Sequence, residues 1–214
     1  MTSSFRTLTL SPDALNNLDQ LGYTEMTPIQ AASLPLALAG QDVIAQASTG
    51  SGKTAAFGLP LVEKLTANFH AVQALVLCPT RELADQVTTE IRRLARATAN
   101  IKVVTLCGGV ALRGQEQSLQ HGAHVVVGTP GRILDHLTHG NLRLDSVKTL
   151  VLDEADRMLD MGFFDDMKQL IQQCPPKRQT LLFSATYPEG IAKLSAQFMR
   201  DPQTVKVQTV HAAD

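Results

Sequence analysis

The sequence predicts an α/β fold: a mainly parallel, seven-stranded sheet with helices on both faces. Three observations predict it. Short β-branched runs alternate with amphipathic helical stretches along the whole chain. Most of these runs are continuously apolar rather than alternating, as expected of strands buried on both sides. Several helical stretches open with a hydroxyl residue followed by proline, which marks a cap and a first helical position. Alternating strands and helices imply right-handed crossovers and hence a parallel sheet. In such a sheet, ligands bind at the carboxyl ends of the strands.

In order, Ser11-Pro12 and Thr27-Pro28 open two helices before the first strand run, at 42–46. Further strand runs fall at 74–77, 102–106, 124–127, 149–152, 180–183 and 204–207, and Thr129-Pro130 opens another helix. The 214 residues suit one domain, with a helical region over 1–40, a core over 41–208 and the start of a linker over 209–214. At 44% hydrophobic and 18% charged residues the chain is neither a disordered tail nor a coiled-coil rod. No apolar run is long enough to span a membrane and the N-terminus lacks a signal-peptide pattern, so a cytoplasmic protein is expected. Nineteen Lys and Arg against 20 Asp and Glu give a net charge of −1, so any nucleic acid must be gripped by a local patch. Cys78, Cys107 and Cys174 show no metal-ligand spacing and are expected to be buried, reduced thiols. The six histidines likewise lack ligand spacing and are expected on the surface or in packing; Met158, Leu159, Met161 and Phe163 are expected to pack.

The first strand runs into Ala47-Ser48-Thr49-Gly50-Ser51-Gly52-Lys53-Thr54. This resembles the Walker A phosphate loop, with Ala47 in place of the first glycine. Small residues let backbone N–H groups face phosphate oxygens, and the following helix aims its N-terminus at the anion. Lys53 fits the β- and γ-phosphates and Thr54 fits Mg²⁺. The alternative is a plain Gly/Ser turn capping a helix. The run 149–152 ends in Asp153-Glu154-Ala155-Asp156. An acid at a strand end near a phosphate loop is the Walker B arrangement, in which Asp153 holds Mg²⁺ and Glu154 orients or activates water. The alternative is an acidic helix start favoured by the helix dipole.

Asp153-Glu154-Ala155-Asp156 spells DEAD, and with the phosphate loop the chain resembles the first RecA-like domain of a DEAD-box ATP-dependent RNA helicase. Other motifs follow in that family's order: Gly22-Tyr23 through Gln30, Pro79-Thr80-Arg81-Glu82-Leu83-Ala84, Gly108-Gly109, Thr129-Pro130-Gly131-Arg132 and Ser184-Ala185-Thr186. The resemblance implies an RNA-stimulated ATPase with ATP and Mg²⁺ as cofactors. It makes Gln30 the adenine reader and Tyr23 the ring that stacks on the base, with Phe5 as the upstream aromatic. Thr27 to Gln30 is also a capping box, and both roles are compatible. Catalysis falls to Glu154, Lys53 and Asp153, and nucleotide binding extends over Ser48, Thr49, Gly50, Ser51, Gly52, Lys53 and Thr54.

The resemblance assigns RNA contacts to Pro79, Thr80, Arg81, Gly109, Thr129, Gly131 and Arg132. Each of these loops follows a strand run, so they are expected at one sheet edge. Backbone N–H groups and arginines there suit sequence-independent gripping of a sugar–phosphate backbone. Helix capping by Thr80 and Thr129, and an ion pair of Arg81 with Glu82 or a neighbouring acid, are the structural alternatives. Ser184 and Thr186 are implied to couple ATP state to unwinding by bonding the acidic motif; the alternative is that they cap the helix after Pro188. The stretches 75–87 and 106–109 carry a narrower resemblance within bacterial members, which implies large-subunit ribosomal RNA as partner. No second RecA-like domain and no His-Arg-x-Gly-Arg sequence is found, so the chain is expected to be a nucleotide-binding half, monomeric, and nearly inactive without its other half. Competing readings are an ATP-gated RNA clamp without turnover and a P-loop ATPase acting on DNA or protein. Intact Glu154 argues against the first; Gln30 and the 129–132 motif argue against the second.

Overall fold

The computed structural model describes residues 3–207, so the expected linker over 209–214 lies outside the described residues. A 3-10 turn, Phe5–Thr7, precedes helices α1 (Pro12–Gln20) and α2 (Pro28–Leu38). Then follow β1 (Val43–Gln46), α3 (Lys53–Glu63), β2 (Ala74–Leu77), α4 (Arg81–Leu94), β3 (Val103–Leu106), α5 (Leu112–Gln120), β4 (Val125–Gly128) and α6 (Pro130–Thr138). The chain continues through β5 (Thr149–Leu152), α7 (Ala155–Asp160), α8 (Phe164–Gln173), β6 (Gln179–Ser184), α9 (Glu189–Phe198) and β7 (Gln203–Lys206).

The seven strands form one sheet in the order β3-β4-β2-β5-β6-β1-β7. All of its pairings are parallel. Each expected strand run is present to within a residue or so. β7 departs from the buried pattern: it is an edge strand with mostly exposed side chains.

Period-2 alternation splits the strand residues between two cores. Val43, Ala45, Val76, Val127 and Phe183 face one core, with Leu18, Ile29, Phe57 and Ile91 from α1 to α4. Ile44, Leu75, Val126, Leu150 and Leu182 face the other, with Ile133, Met158, Leu170 and Ile191 from α6 to α9. Helices therefore cover both faces. Phe57 of α3 meets Phe183 of β6 edge-on, with ring centroids 5.3 Å apart, directly under the helix that leaves the phosphate loop. Met158 is fully buried as expected, whereas Met161 is 47% exposed. All three cysteines are free and buried, and burial pushes each thiol up. His124 and His136 are buried and hydrogen-bonded.

The Ser11 hydroxyl caps α1 by accepting from Ala14 N at 3.1 Å. Thr27 and Gln30 form a complete capping box on α2. Thr129 is a correction: it stands at the N-cap of α6 in an extended conformation, but its hydroxyl makes no capping bond. Its backbone N–H is instead committed to Leu106 O across the β3–β4 pair.

Candidate nucleotide and RNA sites

Sheet order sorts the sequence motifs into two groups. β5, β6 and β1 are adjacent, so the loops carrying Asp153, Ser184 and the phosphate loop open side by side. β3, β4 and β2 are also adjacent, so the loops carrying Gly109, Thr129 and Thr80 form a second group at the same edge.

In the first group, the chain leaves β1 and reverses through Gly50 (φ 82°) and Gly52 (φ 81°), which is the N-cap of α3. Only glycine adopts this left-handed conformation without cost. Gly52 is constrained twice. A Cβ there would lie 2.6 Å from Gln30 Nε2, because that amide donates to Gly52 O at 3.0 Å. Gln30 Oε1 meanwhile accepts from Thr27 N at 2.9 Å. Gln30, 2% exposed, thus completes its capping box and also ties α2 to the phosphate loop. Gly52→Ala combines left-handed strain with this overlap and should lower stability by about 1–3 kcal/mol. For a domain of this size that is a fall in Tm of roughly 2–12 °C, and calorimetric melting measures it.

Lys53, 7% exposed, points away from solvent. Its ammonium lies 2.8 Å from Asp153 Oδ1 and 3.2 Å from Glu154 Oε1. Glu154 also accepts from Thr49 Oγ1 at 3.5 Å and pairs with Arg157 Nη1 at 3.4 Å. Glu154 itself is left-handed (φ 50°, ψ 50°), and this tight corner between β5 and α7 aims its carboxylate at the phosphate loop. Such backbone strain clusters at functional sites. Burial pushes the Asp153 carboxyl up despite the adjacent ammonium. Asp153 Oδ2 and Ser51 Oγ are buried with no hydrogen-bond partner.

Ser184 and Thr186 bond the acidic motif. Ser184 Oγ accepts from Asp156 N at 3.3 Å, and Thr186 donates to Asp156 Oδ2 from its N at 3.1 Å and its Oγ1 at 2.9 Å. The alternative that they cap α9 is overturned, since Pro188 is the N-cap and no side chain caps it.

A cavity of about 650 Å³ runs beside the loop, lined by Thr27, Pro28, Gln46, Ala47 and residues 48–51, with Ala185 and Lys206 opposite. Thr27 and Lys206 were not among the sequence candidates. Lys206 carries no local signal, because only the pairing of β7 with β1 brings it alongside Gln46. Tyr23 does not line this cavity. Its ring stands edge-on to Phe5 at 5.6 Å between centroids, and its hydroxyl donates to Glu90. Burial and that carboxylate push the phenol pKa well up.

In the second group, Thr80 caps α4 by accepting from Leu83 N at 3.3 Å. Arg81 is exposed, and its nearest acid is Asp85 at 4.0 Å rather than Glu82. Gly109 (φ 87°) and Gly131 are exposed. Pro79 and Arg132 are corrections to a simple contact surface. Pro79 is buried. The Arg132 side chain is only 16% exposed: Nη1 donates to Val110 O at 2.9 Å and Gln115 Oε1 at 3.2 Å, and Nε lies 3.5 Å from Asp135. Arg132 therefore braces the loop after β3 from beneath. The spacing of the motif gave no sign of this, because Val110 and Gln115 come from the loop after β3 and from α5.

A family profile described as DEAD/DEAH box helicase matches residues 27–194. The ATP-dependent RNA helicase DbpA of Escherichia coli strain K12 is 57% identical over 211 residues, covering 98% of this chain and 46% of that protein. The DEAD-box ATP-dependent RNA helicase CshA of Geobacillus kaustophilus is 48% identical, covering 96% and 44%. The crystal structure of a DEAD box protein from the hyperthermophile Methanococcus jannaschii superposes with a TM-score of 0.92 at 42% identity, covering 97% of this chain and 57% of that one. The chain thus spans about half the length of the curated relatives it matches. With that match extending over most of its length, and with both loop groups in place, the chain belongs to the DEAD/DEAH box helicase family.

Proposed function

We propose that this chain is the nucleotide-binding half of an ATP-dependent RNA helicase, which works with a second RecA-like domain to open short RNA duplexes, with large-subunit ribosomal RNA as target. The observation that carries the reading is the buried cluster of Lys53, Asp153 and Glu154 under the phosphate loop, joined through Asp156 to Ser184 and Thr186. The family and the names of its relatives support ATP as the nucleotide and RNA as the polymer. The stretches 75–87 and 106–109 support the ribosomal target.

The residues fit ATP with Mg²⁺. Gly50 and Gly52 turn the loop through left-handed backbone that leaves no side chain over it, and the buried, unpartnered Asp153 Oδ2 and the Thr54 hydroxyl are hard-oxygen donors of the kind Mg²⁺ takes. Thr54 and Asp153 would hold Mg²⁺, which would supply charge neutralisation on the phosphates. Lys53 exchanges its carboxylate partners for phosphate oxygens. Glu154, relieved of that ammonium, is left to orient and accept a proton from water. Asp156 links this rearrangement to Ser184 and Thr186. A non-hydrolysing RNA clamp gives Glu154 no such task.

RNA is held by the second loop group through Thr80, Arg81, Gly109, Thr129 and Gly131, which offer two or three phosphate contacts. For single strands the salt slope is about −0.7 per contact, so log affinity should fall against log salt with a slope of roughly −1.4 to −2.1. RNA should outbind DNA of the same sequence through its 2′-hydroxyls, and base sequence should matter little. Fluorescence anisotropy with matched strands across a salt series tests this; strong base preference would count against backbone gripping.

A further inference from the structure

Beneath the loops of the second group lies a buried polar network that no motif includes. Gln115 of α5 is 8% exposed and His136 of α6 is fully buried. Gln115 Nε2 donates to Cys107 O at 2.9 Å, at the point where β3 gives way to the Gly108–Gly109 turn. Gln115 Oε1 accepts from Arg132 Nη1 at 3.2 Å and from His136 Nε2 at 2.7 Å. Arg132 can only donate, so the orientation of the amide is settled by its partners. The same Arg132 nitrogen donates to Val110 O at 2.9 Å. One amide thus binds the first residue of the turn directly and the last through Arg132, and fastens both to the helix that follows the 129–132 motif.

His136 completes the arrangement. Its Nε2–H donates to Gln115, and its Nδ1 accepts from Asn141 Nδ2 at 3.3 Å. Asn141 Nδ2 also donates to Glu116 Oε1 at 2.9 Å. Only the neutral ring satisfies both contacts. Burial, then the Arg132 charge, holds the imidazole below the ordinary histidine range; Glu116 and Asp135 oppose this, and His139 adds to it.

We propose that Gln115 is a positioning residue for RNA binding, its buried amide holding the turn after β3 and Arg132 in the single arrangement that presents Gly108 and Gly109 to the RNA backbone. The inference rests on the RNA reading of these loops. Gln115 touches no RNA itself. Without its amide, Cys107 O, Arg132 and His136 each lose a buried partner, and the turn is free to take other conformations. Protonating His136 has a related effect, since it places an N–H against the Asn141 donor and a second charge beside Arg132. Because the folded state lowers this pKa, the network is intact above the ordinary histidine range. It is lost as pH falls from that range through the lowered value.

The test uses the 214-residue chain with single-stranded 12-nucleotide oligouridine, backbone amide NMR spectra without RNA, and ADP affinity as a check of the fold. Gln115→Leu should shift and broaden the backbone amide resonances of Gly108, Gly109 and Val110 and weaken oligouridine binding about fivefold or more, the scale of one lost buried hydrogen bond. ADP affinity should be unchanged. Gln115→Glu keeps both acceptor roles but loses the bond to Cys107 O, and should fall between. In the parent chain, these resonances should shift and broaden in the same way as pH drops below the ordinary histidine range. His136→Gln, which donates but does not titrate in that range, should remove this transition. If Gln115→Leu and Gln115→Glu, with ADP affinity intact, leave oligouridine affinity unchanged while the parent binds it, the positioning role is overturned and the RNA reading stands. If the parent chain fails to bind oligouridine, the RNA reading falls and the proposal with it.

Discussion

A polypeptide of these 214 residues will hydrolyse ATP about 10³–10⁵-fold more slowly than the same residues joined to a second RecA-like domain in the presence of RNA. That is the usual worth of an arginine supplied to a phosphoryl-transfer transition state, and it corresponds to roughly 4–7 kcal/mol of barrier. The reason lies in where the cations of this half stand. Lys53 is engaged by Asp153 and Glu154 at 2.8 and 3.2 Å. Arg157 leans on the far oxygen of Glu154 and is itself largely exposed. Among the described residues that line the cavity, Lys206 alone is charged. Among the described residues, no arginine lines the cavity beside the phosphate loop. Steady-state phosphate release, measured on the isolated and the joined proteins with and without RNA, gives the ratio. Brisk turnover by the isolated chain would mean that Arg157 swings from Glu154 to the phosphate. Arg157→Ala would then abolish that turnover, and the need for a second domain would be refuted.

The second large effect is expected at Glu154. In the joined protein, Glu154→Gln keeps the volume and one acceptor oxygen but removes the charge that accepts a proton from water. General-base contributions are typically 10²–10⁴-fold, so hydrolysis should slow by about that factor while ATP affinity stays within a few-fold. Affinity is insulated because the variant leaves Lys53 and the phosphate loop, which face the phosphates, unchanged. Lys53→Ala should do the converse. It removes the phosphate contact and also leaves the buried Asp153 carboxylate without its ammonium, so nucleotide binding should weaken first. Equilibrium binding of a fluorescent nucleotide, set beside single-turnover hydrolysis, separates the two variants. An unchanged hydrolysis rate in Glu154→Gln would remove Glu154 from the catalytic assignment.

The two variants also separate what was legible locally from what was not. The phosphate loop could be read because its requirements are local: small residues, positive φ at Gly50 and Gly52, and a helix starting at Lys53. The acid at the end of β5 was legible for the same reason. That Lys53 and Asp153 form a buried ion pair was not, since they lie a hundred positions apart and meet only because β5, β6 and β1 are neighbours. Thr129 looked like a cap in sequence and does stand at the N-cap of α6, yet its hydroxyl accepts no capping bond. Arg132 looked like a free phosphate ligand, yet α5 supplies Gln115 to hold it.

The sequence by itself determined the seven strands, the helix starts at Ser11 and Thr27, the phosphate loop and the family, because periodicity, capping and short motifs are set by neighbours along the chain. The tertiary structure alone decided the strand order, the placement of Tyr23 against Phe5 and Glu90 instead of the cavity, the entry of Lys206 into its wall, and the network around Gln115. These depend on which side chains are driven together when two cores close on one sheet. Burial then obliges each polar group to find whatever partner lies within reach, however distant in sequence.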